Sequence, residues 1–243
     1  MRMINKNELK YIQSFAHKKH WAEESVFIIE GPKMMEELMA SEWVIRQAYA
    51  TKEWIESQPF KPHYVTEVAD FELDKLTQLH KANQVIALVE KKQIKGPIQL
   101  KGKMTLCLDG IQDPGNLGTI IRTADWFGIK QIVASEDTVD VYNPKVIGAT
   151  MGSFMRVSVT YKNLAEWIPT IKLPVYGALL EGENVFTIKT SQQGLLVIGS
   201  EGKGIRENIV DFVTHPVTIP KTGGAESLNA GIAAGIIVAQ LTR

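Results

Sequence analysis

One cysteine in 243 residues, Cys107, has no partner within the chain, so an internal disulfide is excluded and a reducing compartment suits it. A surplus of one charge sign is missing too. The 27 basic and 27 acidic residues cancel, with 14 of each in residues 1–96 and 13 of each in 97–243. Non-specific binding to nucleic acid through a net field needs excess Lys and Arg, so only a local basic patch stays open. No apolar run approaches the ~20 residues that cross a bilayer; the longest lies near Ala233 to Ala239. The start, MRMINKNELKYI, lacks the apolar core of a signal peptide, and the expected setting is cytoplasmic. The five histidines are scattered without metal-ligand spacing, so no metal is expected.

At 44% hydrophobic and 22% charged, the chain has the composition of an ordinary globular protein. Helix-like spacing covers 5–19 and 32–41, with VFIIEG (26–31) between them as a buried strand. Short apolar runs follow at 47–50, 64–68 and 85–89. Together these predict a compact α/β unit of residues 1–96. The stretch EKKQIKGPIQLKGK (90–103), rich in Lys, Gly and Pro, reads as a linker. In 97–243, strand patterns at 104–109, 130–135, 155–161, 174–180, 194–199 and 213–219 alternate with helical ones at 117–127, 143–152, 163–171, 204–211 and 228–241. That alternation predicts a mostly parallel sheet covered on both faces.

Ligands of such sheets sit beyond the carboxyl ends of the strands, so the loops there carry the function. In LDGIQDPGNLGTIIRTADWFGI (108–129), Asn116 is placed to cap a helix beginning near Leu117. Arg122 lies inside that helix among apolar residues, either snorkelling to water or aimed at an anion. In LLVIGSEGKGIREN (195–208), three glycines in six residues make a tight turn or a close backbone approach. Lys203 is followed by Gly204, not Ser or Thr, and Glu207 stands where a dinucleotide fingerprint needs a small residue. Neither ATP nor NAD fits. In TIPKTGGAESLNAGIAAG (218–235), Ser227 and Asn229 stand near the start of a helix that carries no cation, so a polyphosphate would be poorly neutralised.

Taken together, DPGNLGTIIRTA, IGSEGKGI and IPKTGGAESLNAGIAAG resemble the three motifs of the SpoU (TrmH) family of RNA ribose 2′-O-methyltransferases, in the SPOUT superfamily. The likeness extends to 1–96 through KKHWAEESVFIIEG and VIALVE, and the nearest subgroup is the RlmB type of two-domain ribosomal RNA enzyme. The resemblance implies an α/β C-terminal domain closed by a deep trefoil knot at about 174–243, and a small N-terminal α/β domain that binds RNA. It also implies S-adenosylmethionine as cofactor and a homodimer with each site at the dimer interface. Carried over by motif, the cofactor pocket takes Gly199, Glu201, Gly202, Ile219, Leu228 and Asn229, with Leu179 and Leu180 as a further wall. Asn116, Arg122, Glu201, Ser227 and Asn229 match the family's polar catalytic positions.

The reaction so implied transfers a methyl group from a sulfonium to a ribose hydroxyl, and positioning supplies much of the rate. A guanidinium stays protonated, so Arg122 is expected to grip a phosphate and stabilise developing charge on the 2′-oxygen rather than act as base. Glu201 is expected to anchor Arg122 or Asn116. Lys18, Lys19 and Lys33 flank the 26–30 strand, and with Trp21 they make a candidate RNA patch. Ribosomal RNA is the expected partner and transfer RNA the alternative; an inactive RNA-binding relative would show erosion at Asn116, Arg122, Glu201 or Asn229, and none is eroded. Lys221 replaces the family's usual methionine, and Trp21 a usual basic residue.

Overall fold

The computed structural model describes residues 3–92, 96–189 and 193–243. In chain order its elements are α1 (Lys6–Ser14), α2 (Lys18–Glu23), β1 (Val26–Glu30), α3 (Pro32–Met39), β2 (Ile45–Ala50), α4 (Lys52–Ser57), β3 (Val65–Glu67), α5 (Asp70–Leu76) and β4 (Val85–Glu90). They continue with β5 (Met104–Asp109), α6 (Pro114–Trp126), β6 (Gln131–Ala134), α7 (Pro144–Thr150), β7 (Ser158–Tyr161), α8 (Leu164–Trp167), β8 (Val175–Asn184), β9 (Gly194–Gly199), α9 (Glu207–Val210), β10 (His215–Thr218) and α10 (Ala230–Leu241). Single 3-10 turns lie at Ser153–Met155 and Ile168–Thr170.

The chain forms two compact units, Met1–Gln93 with Tyr142–Met155, and Ile94–Val141 with Arg156–Arg243. In the first, the strand order is β1-β4-β2-β3, antiparallel except for β2 with β3. VFIIE and VIALVE are buried on both faces, and their period of two explains how. Phe27, Ile29, Val85, Ala87 and Val89 enter one core with Met35, Leu38 and Trp54. Val26, Ile28, Ile86 and Leu88 enter the other with Ile12, Phe15, Leu73 and Leu76. Ile147 and Phe154 complete the first of these cores, which is why 142–155 clusters with the N-terminal segment. The helix expected over 5–19 is broken: α1, opened by an Asn5–Glu8 capping box, ends at Ser14 and is followed by Phe15, whose ring is fully buried.

In the second unit the order is β10-β8-β9-β5-β6-β7, and every pairing is parallel. Strand β5, MTLCLD, is buried along its whole length, as a central parallel strand must be when both faces are covered. Cys107, Val133, Leu195 and Val197 pack toward Leu164, Ile168 and Ile209. Helix α6 and helix α10 pack together. Two helices differ from expectation at their starts. Helix α6 begins at Pro114, not near Leu117, because Asp113 and not Asn116 caps it: the Asp113 carboxylate accepts the Asn116 N–H at 2.8 Å. The helix expected over 204–211 is only Glu207–Val210, since Gly204 has φ +66° and Arg206 is extended.

Candidate active site

The register of β5 with β9 pairs Asp109 with Gly199, so the loops leaving both strands start side by side. Helix α6 follows the first of these loops, and Asn229 caps helix α10, its side chain accepting the Gly231 and Ile232 N–H groups. This architecture brings three distant residues together. Asn116 on α6 donates to Glu201 Oε1 at 2.8 Å. Asn229 Nδ2 donates to the same oxygen at 2.6 Å and to Asn116 Oδ1 at 2.8 Å. The Ala230 N–H also points at Glu201 Oε1, at 3.4 Å. One carboxylate oxygen thus fastens the first-motif helix to the start of the last helix. Asn116 is free for this because Asp113 does the capping.

On one side of this network lies a cavity of about 830 Å³. Its walls are largely apolar: Leu179, Ile198, Ile205, Ile219, Leu228 and Ile237 line it, together with the backbone of 199–204 and 219–227. Of the residues expected to touch a cofactor, Leu179, Leu180, Gly199, Glu201, Gly202, Ile219 and Leu228 line the cavity, as does Ser227. Asn229 stands in the polar network. Leu180 is 78% exposed and Leu228 45%, so both present apolar surface that a ligand would cover. Lys221 lies on the rim.

A second cavity, of about 410 Å³, shares Ser200–Gly204 and Ala230 with the first and adds Asp109, Gln112, Asp113, Asn116, Asp137 and Arg206 alongside Gly110 and Ile111. Its floor is an ion pair that the sequence reading did not single out. Asp109 is fully buried at the end of β5 and accepts both the Arg206 backbone N–H at 2.8 Å and its Nε at 2.7 Å; Nη2 pairs with the same carboxylate. Arg206 also reaches Asp137, at 3.3 and 3.5 Å. Asp109 first, and Asp137 after it, hold the guanidinium pKa above its usual value. The Ser135 hydroxyl first, and Arg206 next, hold the Asp137 carboxyl below its usual value. The signal available in the sequence was an Asp at a strand's carboxyl end and an Arg closing the glycine loop.

Arg122 is not drawn into the network. It lies six residues beyond Asn116, about 120° around helix α6. Its side chain is exposed, and among the described residues it has no hydrogen bond or ion pair. The anchor of Glu201 is therefore Asn116 rather than Arg122. Lys19 and Lys33 are exposed in the first unit. Lys18 and Trp21 fall outside the described side chains. Among the described residues no group of three or more His, Cys, Asp and Glu could hold a metal ion, and no helix is long and apolar enough to cross a membrane.

Comparison with known proteins agrees with this geometry. Residues 103–239 match the SpoU rRNA Methylase family, and residues 6–87 match the MRM3-like substrate binding domain. The chain is 30% identical over 229 residues to the 23S rRNA (guanosine(2553)-2′-O)-methyltransferase RlmP of Bacillus subtilis (strain 168), covering 92% of this chain and 91% of that protein. A solved structure from Porphyromonas gingivalis, assigned to the TrmH family of RNA methyltransferases, superposes with a TM-score of 0.89 at 32% identity, covering 99% of this chain and 98% of that one. An AdoMet-bound rRNA methyltransferase from Sinorhizobium meliloti superposes with a TM-score of 0.85 at 26% identity, over 99% and 96% of the two chains. With more than half of its length matched by the family model and a relative aligned over nearly all of it, the chain belongs to the SpoU rRNA Methylase family.

Proposed function

We propose that this protein is an S-adenosylmethionine-dependent RNA methyltransferase that modifies a ribose 2′-hydroxyl of ribosomal RNA. The observation that carries this reading is the adjacency of an apolar cavity to the Asn116–Glu201–Asn229 network at the carboxyl edge of a parallel sheet. The residues present fit the cofactor. A cavity of about 830 Å³ accommodates a molecule of its size, apolar side chains at Leu179, Ile219 and Leu228 suit an adenine, and backbone groups of 199–204 and 219–227 supply hydrogen bonds to its edges. A Cβ at Gly199 would overlap the Gly204 peptide, so only glycine leaves the turn in this shape. The cofactor, when bound, supplies an activated methyl group.

The chain's own residues do the rest. Glu201 holds the two asparagine amides on one carboxylate oxygen, and Asn116, with one amide hydrogen uncommitted, orients the incoming ribose. Arg122, without a partner among the described residues, grips the neighbouring phosphate and stabilises charge developing on the 2′-oxygen. Because it faces away from Glu201, we place it in the site of a second copy, in a homodimer formed through α6 and α10. Trp126, 84% exposed, and Ile232, 55% exposed, lie on these helices and support that face as the contact. The knot expected over 174–243 belongs to the same reading, supported by family membership. The N-terminal unit selects the RNA, with Lys19 and Lys33 among its phosphate contacts and Lys18 and Trp21 as further candidates.

The test is a map of 2′-O-methyl positions in total RNA from a strain lacking the gene. One ribosomal position is expected to lose its methyl group, and purified protein should restore it. An unchanged map would sink the proposal, and a missing methyl group in transfer RNA would redirect it. Titration calorimetry with S-adenosylhomocysteine checks the cofactor separately.

A further inference from the structure

The second cavity has a chemistry the proposed methyl transfer leaves without an occupant. It is lined by the Arg206 guanidinium, whose side chain is 45% exposed although four of its five N–H donors are engaged. The Nε–Nη2 edge is taken by the buried Asp109, and the Nη1–Nη2 edge by Asp137. A guanidinium so clamped cannot offer a forked grip to a phosphate, since both forks are occupied. What the two clamped edges leave, with the side chain 45% exposed, is one Nη1 hydrogen and the flat face. The walls add further acceptors: Asp113, with one carboxylate oxygen committed to the Asn116 N–H, and Gln112. Asp109, Asp113, Asp137 and Glu201 outnumber Lys203 and Arg206, so the cavity as a whole repels an anion. A neutral, planar ring with N–H donors on its edge fits both the face and the walls.

We infer that this cavity receives the base of the target nucleotide, stacked on the Arg206 guanidinium. The inference rests on the function proposed above and deepens it: Arg206 becomes a positioning residue that acts on the nucleobase. The geometry supports this placement through Glu201, which lines both cavities and carries the polar network on its Oε1. Asn116 and Ala230 line the same cavity, so a nucleoside with its base on Arg206 has its ribose toward Asn116 and the start of α10, with the cofactor cavity adjoining through Ser200–Gly204. Stacking on an arginine guanidinium is a common device for holding a splayed-out RNA base.

The experiment uses full-length protein saturated with S-adenosylhomocysteine, with guanosine and ribose 5-phosphate as probes followed by saturation-transfer NMR. Guanosine is expected to show transfer to its base protons, and ribose 5-phosphate to show none. Stronger transfer to ribose 5-phosphate would overturn the inference. Arg206→Lys keeps the charge facing Asp109 but removes the flat face. It is expected to lower kcat/KM on a 23S rRNA transcript on the order of ten- to hundredfold, mainly through KM, with the S-adenosylhomocysteine Kd within twofold of wild type. Should that variant fail to fold, Asp137→Asn leaves the Asp109 anchor intact and unclamps one edge; weaker guanosine transfer is expected, and unchanged transfer would overturn the inference. Wild-type protein that methylates the transcript beside a fully active Arg206→Lys overturns the inference alone. Wild-type protein that methylates no ribosomal RNA brings down the functional reading, and this inference with it.

Discussion

Gly199 lies directly against the peptide that follows Gly204: a Cβ on Gly199 would stand 2.1 Å from the Gly204 carbonyl carbon and 2.2 Å from the Ile205 nitrogen. The loop between them is closed by the Gly204 N–H donating to the Ser200 carbonyl at 2.8 Å. Glu201 sits within that closed turn, so its carboxylate position is set by how tightly the turn shuts. Backbone, unlike a flexible side chain, cannot step aside, and Gly199→Ala must open the turn. The expected outcome is a folded protein whose affinity for S-adenosylhomocysteine falls on the order of tenfold or more, read by calorimetry. Wild-type affinity in that variant would show that the turn does not shape the cavity.

Glu201→Gln tests the network itself. The carboxylate receives three N–H donors on one oxygen, and the amide replacement loses the charge that strengthens them. Turnover is expected to fall about ten- to a hundredfold while the fold persists. Asn116→Ala should differ, because Asn116 is buried and its loss leaves Asn229 without one acceptor; about 1–2 kcal/mol of stability should go as well. Urea melts and single-turnover rates separate the two effects.

The Asp109–Arg206 pair is unevenly buried, and its two halves should respond unequally to removal. Arg206→Ala leaves a buried carboxylate with only the residue-206 backbone N–H as partner, at a cost of about 3 kcal/mol. Asp109→Asn leaves a half-exposed arginine that keeps water and Asp137, at a cost of about 1 kcal/mol. Equal losses in urea denaturation would mean that Asp109 is less enclosed than the structure shows.

Asp137 gives a pH dependence with a definite sign. Its carboxyl is held below the usual range by the Ser135 hydroxyl first and by Arg206 second. An unfolded Asp titrates near ~3.9. The stabilisation from this group is therefore complete above about pH 5 and is lost as pH falls through the depressed folded value. Tm measured from pH 7 down to pH 3 should show a constant gap between wild type and Asp137→Asn that closes at the acid end. A gap that widens in acid would reverse the sign and refute the assignment.

The strands of the second unit were legible because parallel strands buried on both faces leave continuous apolar runs, as in MTLCLD and LLVIG, bounded by glycine. The two-faced cores of the first unit follow from alternation in VFIIE and VIALVE. The helix starts were harder. Asn116 and Asp113 are both good capping residues three positions apart, and only the tertiary demand of Glu201 decides which one caps. Arg206 was hidden for a related reason. A strand end and a loop 97 residues later meet only when β5 and β9 are paired, and no local spacing encodes that pairing. The packing of 142–155 on the first unit was equally out of reach, since its helix carries the same local pattern whichever sheet it covers.

Arg122 provides the sharpest test of the proposed dimer. It is exposed on α6, without a partner among the described residues, and turned away from the network it is expected to serve. If each site takes Arg122 from one copy and Glu201 from the other, Arg122→Ala and Glu201→Gln are impaired for different reasons and can complement. In a mixed dimer the Arg122→Ala chain supplies an intact Glu201 and the Glu201→Gln chain an intact Arg122, which reconstitutes one complete site. Co-refolding the two variants at equal amounts yields half mixed dimers, each with one such site, so activity should recover to about a quarter of wild type. Sedimentation should meanwhile report a dimer that Trp126→Glu weakens. A mixture no more active than its better component would place Arg122 in the site of its own chain.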